Sequence, residues 1–419
     1  MVLIDILEEH IEEADFLWQQ RENALADRAY NLEDLAELEE RLLAHIDGLV
    51  LADEAGWRLL LPKLSSDAVG EVFAAAFVAF ESGNQERIDQ VLKVFPTAEN
   101  EVLDGIRHAL RHTTYPEIET ITRSYLDAEQ GAIQTAAVDI LSFRRAPIEE
   151  SRLRNLLLHP DPNVVTSACN AVGRLRRMSM TKCVDPLLEH PIPRIRQEAM
   201  KAGLLLQSEK ARRACLQAIQ KNGEEAGPAI VFIGQAGEAQ ALPLLVDKLA
   251  DPTLARDAVT AIGLLGSVIA MEPLLRCCSD PTLARRSGEA IQTLTGVDLE
   301  KEKLIVPPPS PTETPEQDEE AFDTDLDEAL PYPDPEKVLS WWKANTSRFD
   351  KRLRHRKGLP YGPLVLIDLL KTGNLLERHD VAFELALLHP RLPYLETDTF
   401  VVYQRKEMAR IDLGDVPTS

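Results

Sequence analysis

The stretch Asp251-Pro252-Thr253-Leu254-Ala255-Arg256 returns letter for letter as Asp280-Pro281-Thr282-Leu283-Ala284-Arg285, 29 positions on. A period of this size falls in the window of solenoid repeats, so one structural unit has been copied along the chain. Proline lacks an amide hydrogen and is tolerated in the first turn of a helix, so each Asp-Pro is expected to end one helix and start the next. Behind the first copy, Leu254, Ala258, Ala261, Ile262 and Leu265 share one face of a helix. The second copy keeps Leu283, Ala290, Ile291 and Leu294, with Ser287 breaking the stripe. Gly263 and Gly266 loosen the end of the first helix, and Met271-Glu272-Pro273-Leu274-Leu275 opens a second, antiparallel one. One repeat is a helical hairpin.

Older copies stand upstream. His159-Pro160-Asp161-Pro162 runs into Ala168 and Ala171, and His190-Pro191-Ile192-Pro193 into Ala199 and Ala202, offset by 31. Their second helices carry prolines too, at Asp185-Pro186 and Leu242-Pro243, and the alanines at fixed phase let neighbouring helices approach closely. This pattern resembles HEAT-like helical repeats over residues 150 to 304, and Phe73, Phe77 and Phe80 at helical spacing extend it towards residue 57. The expected fold is all-α: a HEAT-like α-solenoid over 57–305, preceded by an N-terminal helical hairpin over 1–56. A disordered linker over 306–335 and a C-terminal helical segment over 336–419 follow.

A chain of 419 residues, 44% hydrophobic, has ample material for a core. No run approaches the ~18 apolar residues of a membrane span, and Met1-Val2-Leu3-Ile4-Asp5 lacks the basic region of a secretory signal, so a cytoplasmic location is expected. Five cysteines, Cys169, Cys183, Cys215 and the adjacent Cys277-Cys278, read as reduced, buried thiols. The net charge of −23 is unevenly spread: residues 1 to 150 hold 31 acids against 12 bases, and 304 to 336 hold 11 acids and no base. Such a surface disfavours nucleic acid and anionic membranes and favours a basic protein.

The first helix is expected from Leu3 to Gln20 with Ile4, Leu7, Ile11 and Ala14 as its apolar face. The second runs from Asn31 to Ile46, with Asn31 as N-cap and Glu33 and Asp34 in the first turn. Val306-Pro307-Pro308-Pro309-Ser310-Pro311 through Asp334-Pro335 has too little apolar surface to offset the entropy of ordering. Trp341 and Trp342 mark renewed structure, followed by the basic run Arg348 to Lys357 and by helices near Pro363 to Lys371 and Arg378 to Leu388. The last of these resembles another HEAT-type element, able to fold back on the solenoid as a cap.

Candidate chemistry is thin. His108 and His112 stand four apart on a predicted helix, without a third metal ligand. Asp323, Asp325 and Asp327 imitate the start of a calcium loop, but Glu328 stands where the turn needs glycine. The hydrolase elbow, the dinucleotide fingerprint and the phosphate loop are absent, as are the His-Glu dipeptides of HEAT-like metal hydroxylases, so no catalytic residue, metal or cofactor is assigned. Arg174, Arg176, Arg177, Arg194, Arg196, Arg212 and Arg213 form a basic stripe, expected to face acidic elements of the same molecule or an acidic partner.

The words Glu13-Ala14-Asp15-Phe16-Leu17-Trp18, Tyr30-Asn31-Leu32-Glu33-Asp34-Leu35-Ala36, Leu38-Glu39-Glu40-Arg41-Leu42-Leu43-Ala44-His45 and Val381-Ala382-Phe383-Glu384-Leu385-Ala386-Leu387-Leu388-His389-Pro390 resemble a proteobacterial HEAT-like family of unassigned function. Its members are commonly encoded beside type VI secretion components and their toxins. The resemblance implies a non-enzymatic scaffold, an immunity protein that neutralises a cognate antibacterial toxin, a cationic enzyme such as a nuclease. An adaptor that loads an effector onto the secretion spike and a HEAT-like lyase or isomerase are the alternatives. The expected contacts are Glu8, Glu9, Glu12, Glu13, Glu33, Asp34, Glu37, Glu39 and Glu40.

Overall fold

Asn31 sets where the second helix begins. Its side chain accepts hydrogen bonds from the Glu33 and Asp34 amides, while Asp34 accepts one from the Asn31 amide at 2.9 Å, a reciprocal capping box. The computed structural model describes residues 4–308 and 327–411 and packs α1 (Ile4–Leu25) against α2 (Leu32–Leu51), the hairpin expected from the sequence. Leu7, Ile11 and Ala14 are buried as read, but Ile4 is 57% exposed, because it stands in the first turn before the buried stripe begins.

Contacts divide the chain into two units, Met1–Ser208 with Asp368–Ser419, and Glu209–Ile367. These do not coincide with the four segments read from the sequence. The solenoid divides after Ser208, and the C-terminal segment is shared, because its described residues from 368 to 411 pack with the first half of the chain.

In the first unit, α3 (Glu54–Leu60) leads into the hairpins α4 (Val69–Glu81) and α5 (Gln85–Val94), α6 (Asn100–His112) and α7 (Ile118–Ser124), and α8 (Gly131–Phe143) and α9 (Glu150–Leu156). Then come α10 (Pro162–Arg174) with the short α11 (Thr181–Val184), and α12 (Pro193–Leu205). Helix α4 is apolar all round and buried all round, its residues from Val72 to Phe80 lying inside the core. Pro162 and Pro193 open α10 and α12 as expected.

The second unit continues with α13 (Glu209–Lys221), α14 (Ala226–Ala236), α15 (Leu242–Asp247), α16 (Ala255–Leu265), α17 (Met271–Cys277), α18 (Ala284–Thr295) and α19 (Pro335–Asn345). A small hairpin of β1 (His355–Arg356) and β2 (Leu359–Pro360) follows. The chain changes unit within α20 (Pro363–Thr372), and α21 (Leu375–Leu388) and α22 (Val401–Ala409) complete the first unit.

The twin hexapeptides adopt one geometry. Asp251 Oδ1 accepts from the Thr253 amide at 3.0 Å and hydroxyl at 2.8 Å, and Asp280 Oδ1 from those of Thr282 at 2.9 and 2.8 Å. The helices behind them start only at Ala255 and Ala284, so Pro252 and Pro281 do not occupy a first helical turn. The Asp251 carbonyl accepts from Leu254 and Ala255, closing a separate turn before α16 begins.

Residues 309–326 of the expected linker lie outside the described residues. Residues 327–335 correct that expectation, because hydrogen bonds and ion pairs hold them. Val306 N donates to the Tyr332 carbonyl and Asp334 N to the Leu304 carbonyl, Asp334 caps α19, and Asp327 pairs with Arg256 at 2.9 Å and Arg286 at 2.5 Å.

Successive first helices meet at small residues. A Cβ on Gly173 would lie 3.0 Å from Ala202 Cα, one on Gly234 2.6 Å from the Ala261 carbonyl oxygen, and one on Gly263 2.8 Å from Ala290 Cα. Backbone cannot yield as a flexible side chain can, so overpacking here strains the stack. Gly234→Val is expected to destabilise the second unit by about 3 kcal/mol, whereas Gly362→Ala, with no heavy atom within 4 Å of the added Cβ, stays near neutral. Thermal unfolding of the two variants checks this.

Candidate functional site

The acids singled out from the sequence separate once folded. Glu8, Glu9, Glu12, Glu33, Asp34, Glu37 and Glu40 are exposed and Glu13 is half-buried. Phe16, 58% exposed, projects one helical turn beyond Glu12. Glu39 corrects the expectation: it is 4% exposed, because its helical position shares the buried face of Leu35, Leu38 and Leu42. Its carboxylate accepts from Arg21 Nε at 2.9 Å and from the Val401 amide at 2.6 Å. Burial nonetheless raises the Glu39 carboxyl above its usual range, with Arg21 opposing. Asp34 is engaged in the cap, and Glu33 pairs with Arg405 at 2.5 Å.

The C-terminal segment lies along the first unit rather than over one end. Arg145, Arg176 and Gln207, 31 residues apart, each take the left-handed conformation just after a first helix, with φ of 56°, 54° and 58°. Each donates to a carbonyl of that segment: Arg145 to Tyr394, Arg176 to Ala386 at 2.8 Å, and Gln207 to Leu387 at 3.2 Å. Phe400 is the segment's buried anchor, its ring 4.5 Å from His112 and 6.1 Å from Phe77, with the Arg21 guanidinium 5.2 Å away.

Under the segment runs a charged spine that sequence reading missed. Arg111 grips Asp139 with two hydrogen bonds of 2.7 and 2.5 Å, Arg107 joins at 3.1 Å, and Arg174 bonds Glu396 at 2.9 Å. Burial alone would raise the Asp139 carboxyl, but the three arginines hold it well below the usual carboxylate range. The only sequence signal was the arginine count on the repeats; nothing local pairs Arg174 with an acid 222 positions away. The remaining basic stripe is also engaged inside its own unit: Arg196 caps the His190 and Pro191 carbonyls, Arg194 donates to Asn163 at 3.3 Å, and Arg212 bonds Glu238 at 2.9 Å.

The histidine pair lies under aromatic cover instead of at the surface. The rings of His108 and His112 stand 5.2 and 5.7 Å from that of Trp18, and His112 is 5% exposed. Burial, aided by Arg107 for His108 and by Arg21 for His112, keeps both neutral; His108 is lowered to about 2 and His112 well below 6.5. Asp323 and Asp325 lie outside the described residues, and Asp327 is held by its arginines. Among the described residues no group of three His, Cys, Asp or Glu is placed to hold a metal ion. Burial pushes the Cys215 thiol up to about 12 and the Cys278 thiol to about 11, which suppresses thiolate chemistry.

The first unit also carries a groove of about 440 Å³ across α6, α8, α10 and α12, with Arg107 and Asp139 in its wall beside Thr135, Asn163, Asn170 and Glu198. Among the described residues no helix is long and apolar enough to cross a membrane.

No family model matches the chain, and no curated protein matches it. Among solved structures it is similar to the crystal structure of YibA from Escherichia coli, at 17% identity and a TM-score of 0.42, over 60% of this chain and 96% of that one. It is also similar to an engineered protein, at 15% identity and a TM-score of 0.31, over 70% and 90% of the two chains. Neither likeness carries an argument about function.

Two expectations follow for the first unit. Removing one partner of the Arg174–Glu396 pair leaves a buried charge alone, so Arg174→Met is expected to cost about 3 kcal/mol, much of it recovered by adding Glu396→Leu; denaturant titrations of the single and double variants test this. Because the His112 value is depressed in the folded protein, the unfolded chain takes up the proton first, and stability falls as pH drops below 6.5. Between pH 6 and 5 the native chain should lose about 1.4 kcal/mol per pH unit more than a His112→Leu variant, read from unfolding midpoints.

Proposed function

We propose that the chain is a non-enzymatic protein-binding scaffold and, in its sharper form, a type VI secretion-associated immunity protein that neutralises a cationic antibacterial toxin such as a nuclease. The observation that carries the binding reading is the N-terminal hairpin, which presents exposed acids on α1 and α2 and, one turn beyond Glu12, an exposed Phe16. Acidic residues accelerate encounter with a basic partner, while a desolvated aromatic anchor slows its departure. The setting beside secretion genes and toxins comes from the family resemblance alone. Charge on α2 supports this role only where it faces outward, and the burial of Glu39 leaves its neighbours Glu37 and Glu40 to do so.

Deleting the gene alone and competing the strain against toxin-armed siblings tests the sharper form. Self-intoxication supports immunity; lost secretion without intoxication points to the adaptor; turnover of a small molecule by the purified protein points to the lyase. With the neighbouring toxin as ligand, the triple substitution Glu8→Gln, Glu9→Gln and Glu12→Gln is expected to slow association about tenfold at low salt with little change in dissociation. Phe16→Ala is expected to act mainly on dissociation. Surface plasmon resonance separates the two, and unchanged rates in both variants would remove the hairpin from the interface.

A further inference from the structure

The groove across α6, α8, α10 and α12 is built on the repeat. Ala136, Ser167 and Glu198 occupy corresponding places on three successive first helices, as do Asp139 and Asn170 on two, so each helix contributes rungs to one continuous wall. Stacked helices lie about 8–10 Å apart. An extended peptide rises about 3.3 Å per residue, so it would pass about three residues per helix and about nine across the groove.

The unsatisfied groups in the wall point to the ligand. Glu198 Oε2 is buried without a hydrogen-bond partner, and no lysine or arginine among the described residues pairs with it. A carboxylate oxygen withdrawn from water in this way lacks the cation that would compensate it. The two bases in the groove wall are engaged elsewhere, Arg107 with Asp104 and Asp139, and Arg194 with Asn163. Thr135 Oγ1 is likewise buried and unpartnered. The Asn170 side chain makes no hydrogen bond among the described residues, and a primary amide offers a donor and an acceptor to a single peptide unit.

The groove also continues an interface that already binds peptide. Asn170 and Glu198 also line a hollow of about 30 Å³ together with Lys201, Tyr394 of the chain's own C-terminal segment, and Arg174, which is paired with Glu396. That segment is held through its main-chain carbonyls, by Arg145 at Tyr394 and by Arg176 at Ala386. The hydroxyl, amide and carboxylate side chains of the wall, Thr135, Ser167, Asn170 and Glu198 among them, offer hydrogen-bond partners to a main chain and to charged side chains.

We infer that this groove binds an extended segment of a partner protein, its main chain held by Asn170 and Thr135 and a lysine or arginine side chain paired with Glu198. The inference rests on the reading of the chain as a protein-binding scaffold, and it adds a second surface with its own chemistry beside the N-terminal hairpin.

The test uses the full-length chain and two labelled nine-residue probes, one alternating serine with lysine and one alternating serine with glutamate, followed by fluorescence anisotropy at low salt. The lysine probe is expected to bind and the glutamate probe not. Glu198→Gln should weaken the lysine probe about tenfold and Asn170→Ala about fivefold, a range set by single charge-assisted and neutral hydrogen bonds. Since Glu198 has no internal partner, Glu198→Gln leaves the fold intact, which thermal unfolding verifies. The triple variant at Glu8, Glu9 and Glu12 should bind the lysine probe as the native chain does. No binding at about 1 mM probe, or equal binding by Glu198→Gln, overturns the inference. Loss of binding in the triple variant alone overturns it too and moves the peptide to the hairpin, leaving the scaffold reading standing.

Discussion

A left-handed residue after the first helices α8, α10, α12, α14, α16 and α18 is the constraint on which both units depend. Non-glycine residues pay roughly 1–2 kcal/mol to hold that conformation, which therefore persists only where other contacts offset it. In the first unit the offset comes from long side chains: Arg145, Arg176 and Gln207 reach out from these turns to the carbonyls of the returning segment. In the second unit the same place is taken by Gly237, Gly266 and Gly296, and the backbone itself draws close. There His355 N donates to the Gly266 carbonyl at 2.8 Å, Lys357 N to Thr293 at 2.7 Å and Gly358 N to Leu294 at 3.0 Å. A Cβ on Gly266 would collide with the His355 carbonyl, so glycine is required for space as well as for φ. One repeat position thus supports two modes of docking, one by reach and one by approach.

What could be read from the letters was whatever the helix period and its local signals encode. The twin hexapeptides disclosed the repeat, Asn31 the start of α2, and the alanines at fixed phase the close stacking later seen at Gly173 and Ala202. Pro252 misled because an aspartate two residues before a threonine can close its own turn, and that competing hydrogen bonding delays the helix to Ala255. Glu39 misled because acids are so dense on α2 that its place on the buried face was hidden among them. The charged spine was illegible for a different reason. Asp139 meets Arg107 and Arg111 across 32 and 28 positions, one repeat away, and only the return of the C-terminal segment brings Glu396 to Arg174 and the Val401 amide to Glu39.

That return also sorts the charges into two kinds. Arg107, Arg111 and Arg174 of the repeats are turned inward and matched there, while most acids of the N-terminal hairpin stay in water. A net charge of −23 therefore understates how one-sided the outer surface of α1 and α2 is, because the bases that might have balanced it are occupied within the fold. Acidity of this kind governs the rate and choice of encounters more than it governs the fold.

The first unit is discontinuous in the chain, and this has a consequence for how the molecule is made. Trp18, Phe77 and His112 leave the ribosome well before Phe400, which packs against Phe77 and His112. At about 5–20 residues per second, the interval between Ser208 and Phe400 lasts on the order of ten to forty seconds. By the end of that time the second unit has emerged whole, while the seat for Phe400 beside Arg21 and Glu39 still lacks its ring. The newborn chain therefore passes through a period in which the second unit has emerged whole while the first still awaits the residue that packs against Phe77 and His112.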